Sequence, residues 1–339
     1  MRLSRLLLLW TLACINDSLR YRHYLSRTAL PPNHTSAWYS LIQSRDDRSF
    51  INVLSLDTRS FLSLYDIFKT QYSTATQCSM RPIDVLGLCL YYITGKDSRN
   101  RLMQIFNITP AVLSRQLNNG LKALELTVDQ HTDCSIIWPT HTEMENYSLL
   151  IRNKEPLVVN AWGFVDGVFF EMDDPSTPSV QNAYYNGWKA YCSVSNVLLF
   201  TPDGLIRWAS INNPGSWHDS HVAQKLYSTL ERFSPPGYYI IADSAFRSTD
   251  QLVTTMRDND IGNLENADAR ALQQAIVRTR QSVEWGNGNI QSVYKRLNGK
   301  LKYNLVFNKM LLRIIIRLFN YRSRRVGLNQ IRSVFAPQQ

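Results

Sequence analysis

Residues 237–248 read GYYIIADSAFRS. Tyr238, Tyr239, Ile240 and Ile241 form a short β-rich apolar run of the kind that makes a buried strand. Asp243 stands where that strand should end, and the small Ser244 and Ala245 follow it. A carboxylate at the tip of a buried strand is costly unless something positive neutralises it. The placement therefore asks for a chemical reason.

Three more carboxylates have similar settings. Asp166 lies in GFVDGVFF (163–170), Asp219 in GSWHDSH (215–221) and Glu284 in RQSVEWGNGNIQSV (280–293). Asp166 sits mid-strand among apolar neighbours, Asp219 just before a helix, and Glu284 on a helix. Each also has an ordinary reading: Asp219 as a helix cap, Asp243 as an Asx turn, Glu284 as a surface residue. Asp166 is the hardest to explain that way. Lys189 or Arg280 could neutralise it, and a pair of divalent cations would do so better. Mg²⁺ favours carboxylate and water oxygens. Two such ions roughly 3.5–4 Å apart activate an attacking oxygen and stabilise the leaving oxygen of a phosphodiester. That chemistry needs acids from neighbouring strands and one from a helix. His218 and His221 form an H-x-x-H pair, but zinc would need further ligands nearby, and only Cys192 is a candidate.

The surrounding sequence reads as a mixed sheet. LVVNAWGFVDGVFFEM (157–172), KAYCSVSNVLLFTPDG (189–204) and LIRWASINN (205–213) are three strands; PGSWHDSHVAQKLYSTL (214–230) is a loop entering a helix. The 237–246 strand follows, and from about 250 the chain reads helical. The order β-β-β-α-β-α predicts an α/β fold with flanking helices. Upstream, residues 28–50 read as an irregular linker, 51–130 as helical and 131–156 as a loop. In NITPAVLSRQLNNGLKALEL (107–126), Thr109 and Pro110 mark a helix start. Leu113, Leu117, Leu121 and Leu124 line one face, and Ser114, Arg115, Asn118 and Lys122 lie off it. With the preceding helix this resembles a helix-turn-helix, whose second helix enters the major groove. The alternative is an ordinary helical hairpin.

Composition sets the class of partner. The 339 residues carry a net charge of +10, and 44% are hydrophobic, enough for a packed core. From Trp285 to Gln339 there are eleven Lys and Arg and no acid. A one-signed surface of this kind favours a polyanion, nucleic acid first and an acidic membrane second; the alternative is a solvated basic helix. Lys309, Arg313 and Arg317 share one helical face, suited to phosphates or to a rim around buried Ile314–Ile316. Five cysteines without a C-x-x-C pair argue against a disulfide framework. MRLSRLLLLWTLAC (1–14) has the parts of a secretory signal, or opens an intracellular helix; its apolar run is too short to span a membrane.

Taken in order, these blocks resemble the catalytic domain of PIF/Harbinger-type DDE transposases and their domesticated relatives. VDGVFFEM resembles the first-aspartate strand, QNAYYNGWKAY the Y-x-G-x-K block, TPDGLI and PGSWHDS the next two blocks, and IADSAF the second-aspartate strand. RQSVEWGNGNIQSVYKRL resembles the glutamate helix of the branch in which Trp-Gly follows the glutamate. The resemblance covers about residues 155–335. It implies an RNase H-like fold and a two-metal nuclease, with Asp166, Asp243 and Glu284 as the catalytic triad. Asp219 would join them at a Mg²⁺ or Mn²⁺ site. It also implies DNA as substrate (element ends and target), a nuclear location, possible homo-oligomers, no membrane association and, in some relatives, a separate Myb-like DNA-binding protein. Where many relatives carry Phe-Gly and a lysine after the glutamate, this chain has Asn287, Gly288 and Gln291. The expected organisation is an N-terminal helix and linker (1–50), a helix-turn-helix-like DNA-binding region (51–130) and the nuclease domain (155–335). Arg115, Lys122, Lys189, Lys309, Arg313 and Arg317 are the expected DNA contacts. The rival is a non-catalytic DNA-binding protein on the same fold.

Overall fold

The computed structural model describes residues 2–20, 27–72, 80–256, 258–262 and 266–336; Cys78 lies outside them. The N-terminal part is helical: α1 (Arg2–Arg20), α2 (Ala37–Ser44), α3 (Asp47–Leu54), α4 (Thr58–Gln71), α5 (Pro82–Thr94), α6 (Arg99–Phe106), α7 (Pro110–Gln130) and α8 (His141–Lys154). The remainder alternates: β1 (Ala161–Glu171), α9 (Pro178–Tyr184), β2 (Tyr185–Asn186), β3 (Tyr191–Phe200), β4 (Ile206–Pro214), α10 (Asp219–Val222), α11 (Gln224–Phe233), β5 (Tyr239–Ala242), β6 (Leu252–Thr254), α12 (Asp258–Gly262), α13 (Ala267–Val293), α14 (Leu305–Arg325) and α15 (Gln330–Phe335).

The sheet runs β4-β3-β1-β5-β6, with the short β2 paired to the start of β3. Strands β4, β3 and β1 are antiparallel, whereas β1, β5 and β6 are parallel. This is the mixed sheet with flanking helices that the order of elements predicts, and it is consistent with the RNase H-like fold that the resemblance implies. Met144 and Tyr147 of α8 and Leu226 and Leu230 of α11 cover one face, packed with Trp162, Val165 and Ile240. The other face lies against α13, α14 and α15, where Phe319 packs on Phe200 and Phe335 on Phe164.

Several local readings are corrected. Residues 28–50 are not an irregular linker: Ser36 caps α2 and Asp46 caps α3. Trp38 and Phe50 are buried there, and the Trp38 indole donates to Asp84 Oδ1 at 2.9 Å. Two buried aromatics outweigh the polar residues around them. The 131–156 stretch contains α8, opened by a capping box in which Thr140 and Glu143 satisfy each other's backbone N–H groups. The sequence Thr140-His141-Thr142-Glu143 carries that signal. Strand β6 lies in the region read as helical; it is three residues long and exists through its pairing with β5.

The two helices expected at 99–130 form, with Ser98 capping α6 and Pro110 in the first turn of α7. Leu113, Leu117, Leu121 and Leu124 are buried, and Arg115, Asn118 and Lys122 are exposed. Helix α14 joins this region to the sheet. Asn320, fully buried, accepts from the Ile206 N–H at 2.8 Å and donates to the carbonyls of Ile206 and Ser135. Beside it the Tyr321 hydroxyl donates to the Ser60 carbonyl at 2.6 Å. One apolar cluster runs from Phe61 and Leu64 through α7 and α14 into β1 and β3. Among the described residues, no helix is long and apolar enough to cross a membrane.

Candidate active site

The strand register brings the first two aspartates together. Phe164 of β1 lies opposite Ile241 of the parallel β5. Both strands advance in the same direction, so Asp166 and Asp243, each two residues further on, arrive at the same level. Asp243 leaves the strand in a tight turn, and its Oδ1 accepts from the Ala245 N–H at 2.9 Å. The Asx-turn reading is met, and the same side chain lines a cleft with Asp166 and Asp219.

Asp219 arrives from the other side. It is the first residue of α10, behind His218. Its carboxylate lies over the backbone of Gly167: a Cβ at that glycine would fall 2.4 Å from the Asp219 Cγ and both of its oxygens. Glycine is required there by close approach, not by backbone angle. Asp219 Oδ1 is buried with no hydrogen-bond partner among the described residues.

The electrostatics follow from this crowding. Burial, and then the Asp243 charge, push the Asp166 carboxyl up to about 7, with Arg280 and the Gly167 N–H opposing. Burial and Asp243 push Asp219 up to about 6. Three carboxyl groups share a cleft of about 780 Å³, also lined by Lys189, Trp188 and Trp217. Carboxylates so placed are relieved by protons or by cations.

Helix α13 supplies the remaining groups from one face. Arg280, Glu284 and Asn287 are spaced four and three residues apart, neighbours on a helix surface. The Asn287 amide donates to Asp166 Oδ2 at 3.1 Å. Glu284 is paired with Arg280 at 2.6 Å and is about half exposed. It therefore flanks the aspartates on the correct helix face, but it does not line the cleft. The three aspartates thus share the cleft, while Glu284 stands beside it with its charge answered by Arg280 one helical turn away. Among the described residues, no group of three His, Cys, Asp or Glu side chains is arranged to hold a metal ion. His218 and His221 form no such group, and the His221 ring packs edge-on against Trp217.

The oxygen donors themselves suit a hard divalent cation. They are carboxylates, partly desolvated, with one buried oxygen lacking a partner among the described residues. Asn287 was missed by the sequence reading as a contributor. Its helical spacing from Glu284 was the available signal.

The expected DNA contacts are distributed unevenly. Lys189 lines the cleft, and Arg115, Lys122 and Lys309 are exposed. Arg313 and Arg317 both pair with Asp129 of α7, at 2.7 and 3.0 Å. Arg325 pairs with Asp133, and Arg322 is buried against the Leu328 carbonyl. The acid-free tail is thus not a one-signed surface, because acids from elsewhere in the chain answer much of it.

Residues 165–320 match the family described as DDE superfamily endonuclease. No curated protein and no solved structure gave a match.

Proposed function

We propose that this chain is a divalent-ion-dependent DNA endonuclease of the DDE type, in the PIF/Harbinger branch, working on nuclear DNA. One observation carries the reading. Three aspartates from three separate elements crowd one cleft, and a buried oxygen of Asp219 has no partner among the described residues.

Asp166, Asp219 and Asp243 would hold Mg²⁺ or Mn²⁺, with Glu284 completing the set once it leaves Arg280. Bound ions of this kind activate the attacking water or 3′-hydroxyl and neutralise charge on the departing oxygen. The protein's own groups do the rest. Asn287 fixes the rotation of the Asp166 carboxylate through its 3.1 Å hydrogen bond. Arg280 lowers the cost of ionising Asp166 while the cleft is open. Lys189, at the cleft wall, meets the scissile strand's phosphates, and Arg115 and Lys122 on α7 hold the duplex backbone. Such contacts make affinity strongly dependent on salt.

The test is cleavage of supercoiled and linear duplex DNA with Mg²⁺ or Mn²⁺ added back after chelation. Nicking that needs the ion and disappears in Asp243→Asn supports the reading. Ion-independent DNA binding by wild type, with no cleavage under either metal, would instead favour the non-catalytic rival.

A further inference from the structure

The mouth of the acidic cleft carries two indoles that the carboxylate chemistry does not use. Trp188 is 91% exposed and Trp217 is 41% exposed, and both line the cleft that contains Asp166, Asp219 and Asp243. Indole is among the largest apolar groups a chain can present, and leaving it in water is unfavourable.

The two are not on loose tips. Trp188 sits in the turn between β2 and β3, where the Asn186 side chain accepts from the backbone N–H groups of Trp188 and Lys189. The Asn186 amide, itself buried, donates to the Gly215 carbonyl at 2.9 Å in the loop that bears Trp217. Ser216 ties that loop again, donating from its hydroxyl to the Ala183 carbonyl at 2.7 Å. Gly215 approaches so closely that a Cβ would lie 2.4 Å from Ser193. Trp217 is further held edge-on by His221, with ring centroids 4.5 Å apart. Two loops locked to one another therefore hold two aromatic faces at the cleft, with the Lys189 ammonium adjacent in sequence.

We propose that Trp188, backed by Trp217, is a stacking subsite for an unpaired nucleobase next to the phosphodiester that is cut. This inference rests on the nuclease reading above. A paired duplex keeps its base faces covered, and its backbone calls for cations and hydrogen-bond donors only. An indole face in reach of the scissile strand is complementary to a base that has left the stack. Lys189 then meets the phosphate of the same nucleotide. The enzyme accordingly favours ends, gaps or mismatches at the cut over uninterrupted duplex.

The experiment compares Trp188→Ala and Trp188→Phe with wild type by fluorescence anisotropy, in chelator. The probes are a single-stranded oligonucleotide and a fully paired duplex of the same sequence. Loss of stacking on one base is expected to weaken single-strand binding by roughly five- to a hundredfold in the alanine variant. The phenylalanine variant should recover most of that loss, and duplex affinity should change less than twofold in both. Wild-type tryptophan emission should be quenched by the single strand, with most of the quench absent in Trp188→Ala. Equal single-strand affinity in wild type and Trp188→Ala, or an equal loss on both probes that phenylalanine does not restore, overturns the proposal while leaving the nuclease reading intact. Wild type that binds neither probe overturns both.

Discussion

Two clusters of charge in this protein look alike in sequence and differ in structure. One is the aspartate cleft at the middle of β1 and the end of β5; the other is the seam between α7 and α14. At the seam, Arg313 and Arg317 share Asp129, Arg325 takes Asp133, and Arg324 caps the carbonyls of Asp133 and Ser135. Every one of these charges has an opposite charge or a carbonyl in reach. In the cleft, like charges face one another, and one buried carboxylate oxygen lacks a partner among the described residues. Seam charge is answered within the chain, whereas the cleft keeps like charges together, an arrangement that recurs at functional sites.

The widest gap between the two regions should appear in catalysis. Asp166→Asn is expected to lower ion-dependent cleavage by about a thousandfold, equivalent to about 4 kcal/mol of barrier. Arg313→Ala at the seam should leave the rate within about threefold at low salt, where backbone contacts are strongest. Nicking assays on the two purified variants check this, and comparable losses in both would erase the distinction.

Next in size is a stability effect confined to the seam. Asn320→Leu takes the side-chain partner from the buried Ile206 N–H and carbonyl, leaves the Ser135 carbonyl to Arg324 alone, and should cost about 3 kcal/mol in urea unfolding. The same experiment on Asp219→Asn, without metal, should show no loss.

The regions should also respond to pH with opposite signs. Asp166 and Asp219 are raised in the fold above the ordinary aspartate value of about 3.9. The native state thus binds their protons more tightly, so their contribution is greatest below about pH 4 and is lost as pH rises through about 6 and 7. His131, against Tyr321 in the seam, is lowered by burial and by Arg325, with Asp133 opposing. Its contribution is full above about pH 6.5 and is lost as pH falls below that. In chelator, Asp166→Asn should therefore melt a few degrees higher than wild type at pH 8 and equally at pH 4. His131→Gln should flatten the acid side instead. Added Mg²⁺ should raise the wild-type melting temperature at pH 8 and have little effect on Asp166→Asn. Melting curves with the reverse pattern would refute the assignment.

The smallest effect belongs to the partly exposed pairs. A double-mutant cycle on Arg317 and Asp129 should return under about 1 kcal/mol, since both side chains remain partly in water. A value several times larger would mean that the seam is held by charge rather than by its apolar core.

Local chemistry made much of this legible in advance. The apolar run around Asp166, the strand ending at Asp243 and the proline-started α7 each carry their signal within a few residues. The register that levels Asp166 with Asp243 follows once those strands pair in parallel. What local chemistry left out depends on distant partners. Strand β6 is a strand because β5 lies beside it, and α2 is ordered because Trp38 reaches Asp84 across 46 residues. The orientation of Glu284 turns on Arg280, one helical turn back on the same face, so spacing could suggest the pair but not which way the carboxylate faces. The basic tail reads as one surface in sequence because the acids that pair with Arg313, Arg317 and Arg325 lie elsewhere, on α7 and just beyond it.

Helix α14 has a mechanical consequence. Since neighbouring residues Asn320 and Tyr321 grip the sheet and the helical region at once, the two cannot swivel against each other without tearing buried hydrogen bonds. If Arg115 and Lys122 hold duplex DNA as proposed, it would meet the aspartates at a set offset. The spacing between grip and incision would then work as a ruler written into the protein, indifferent to the sequence being measured.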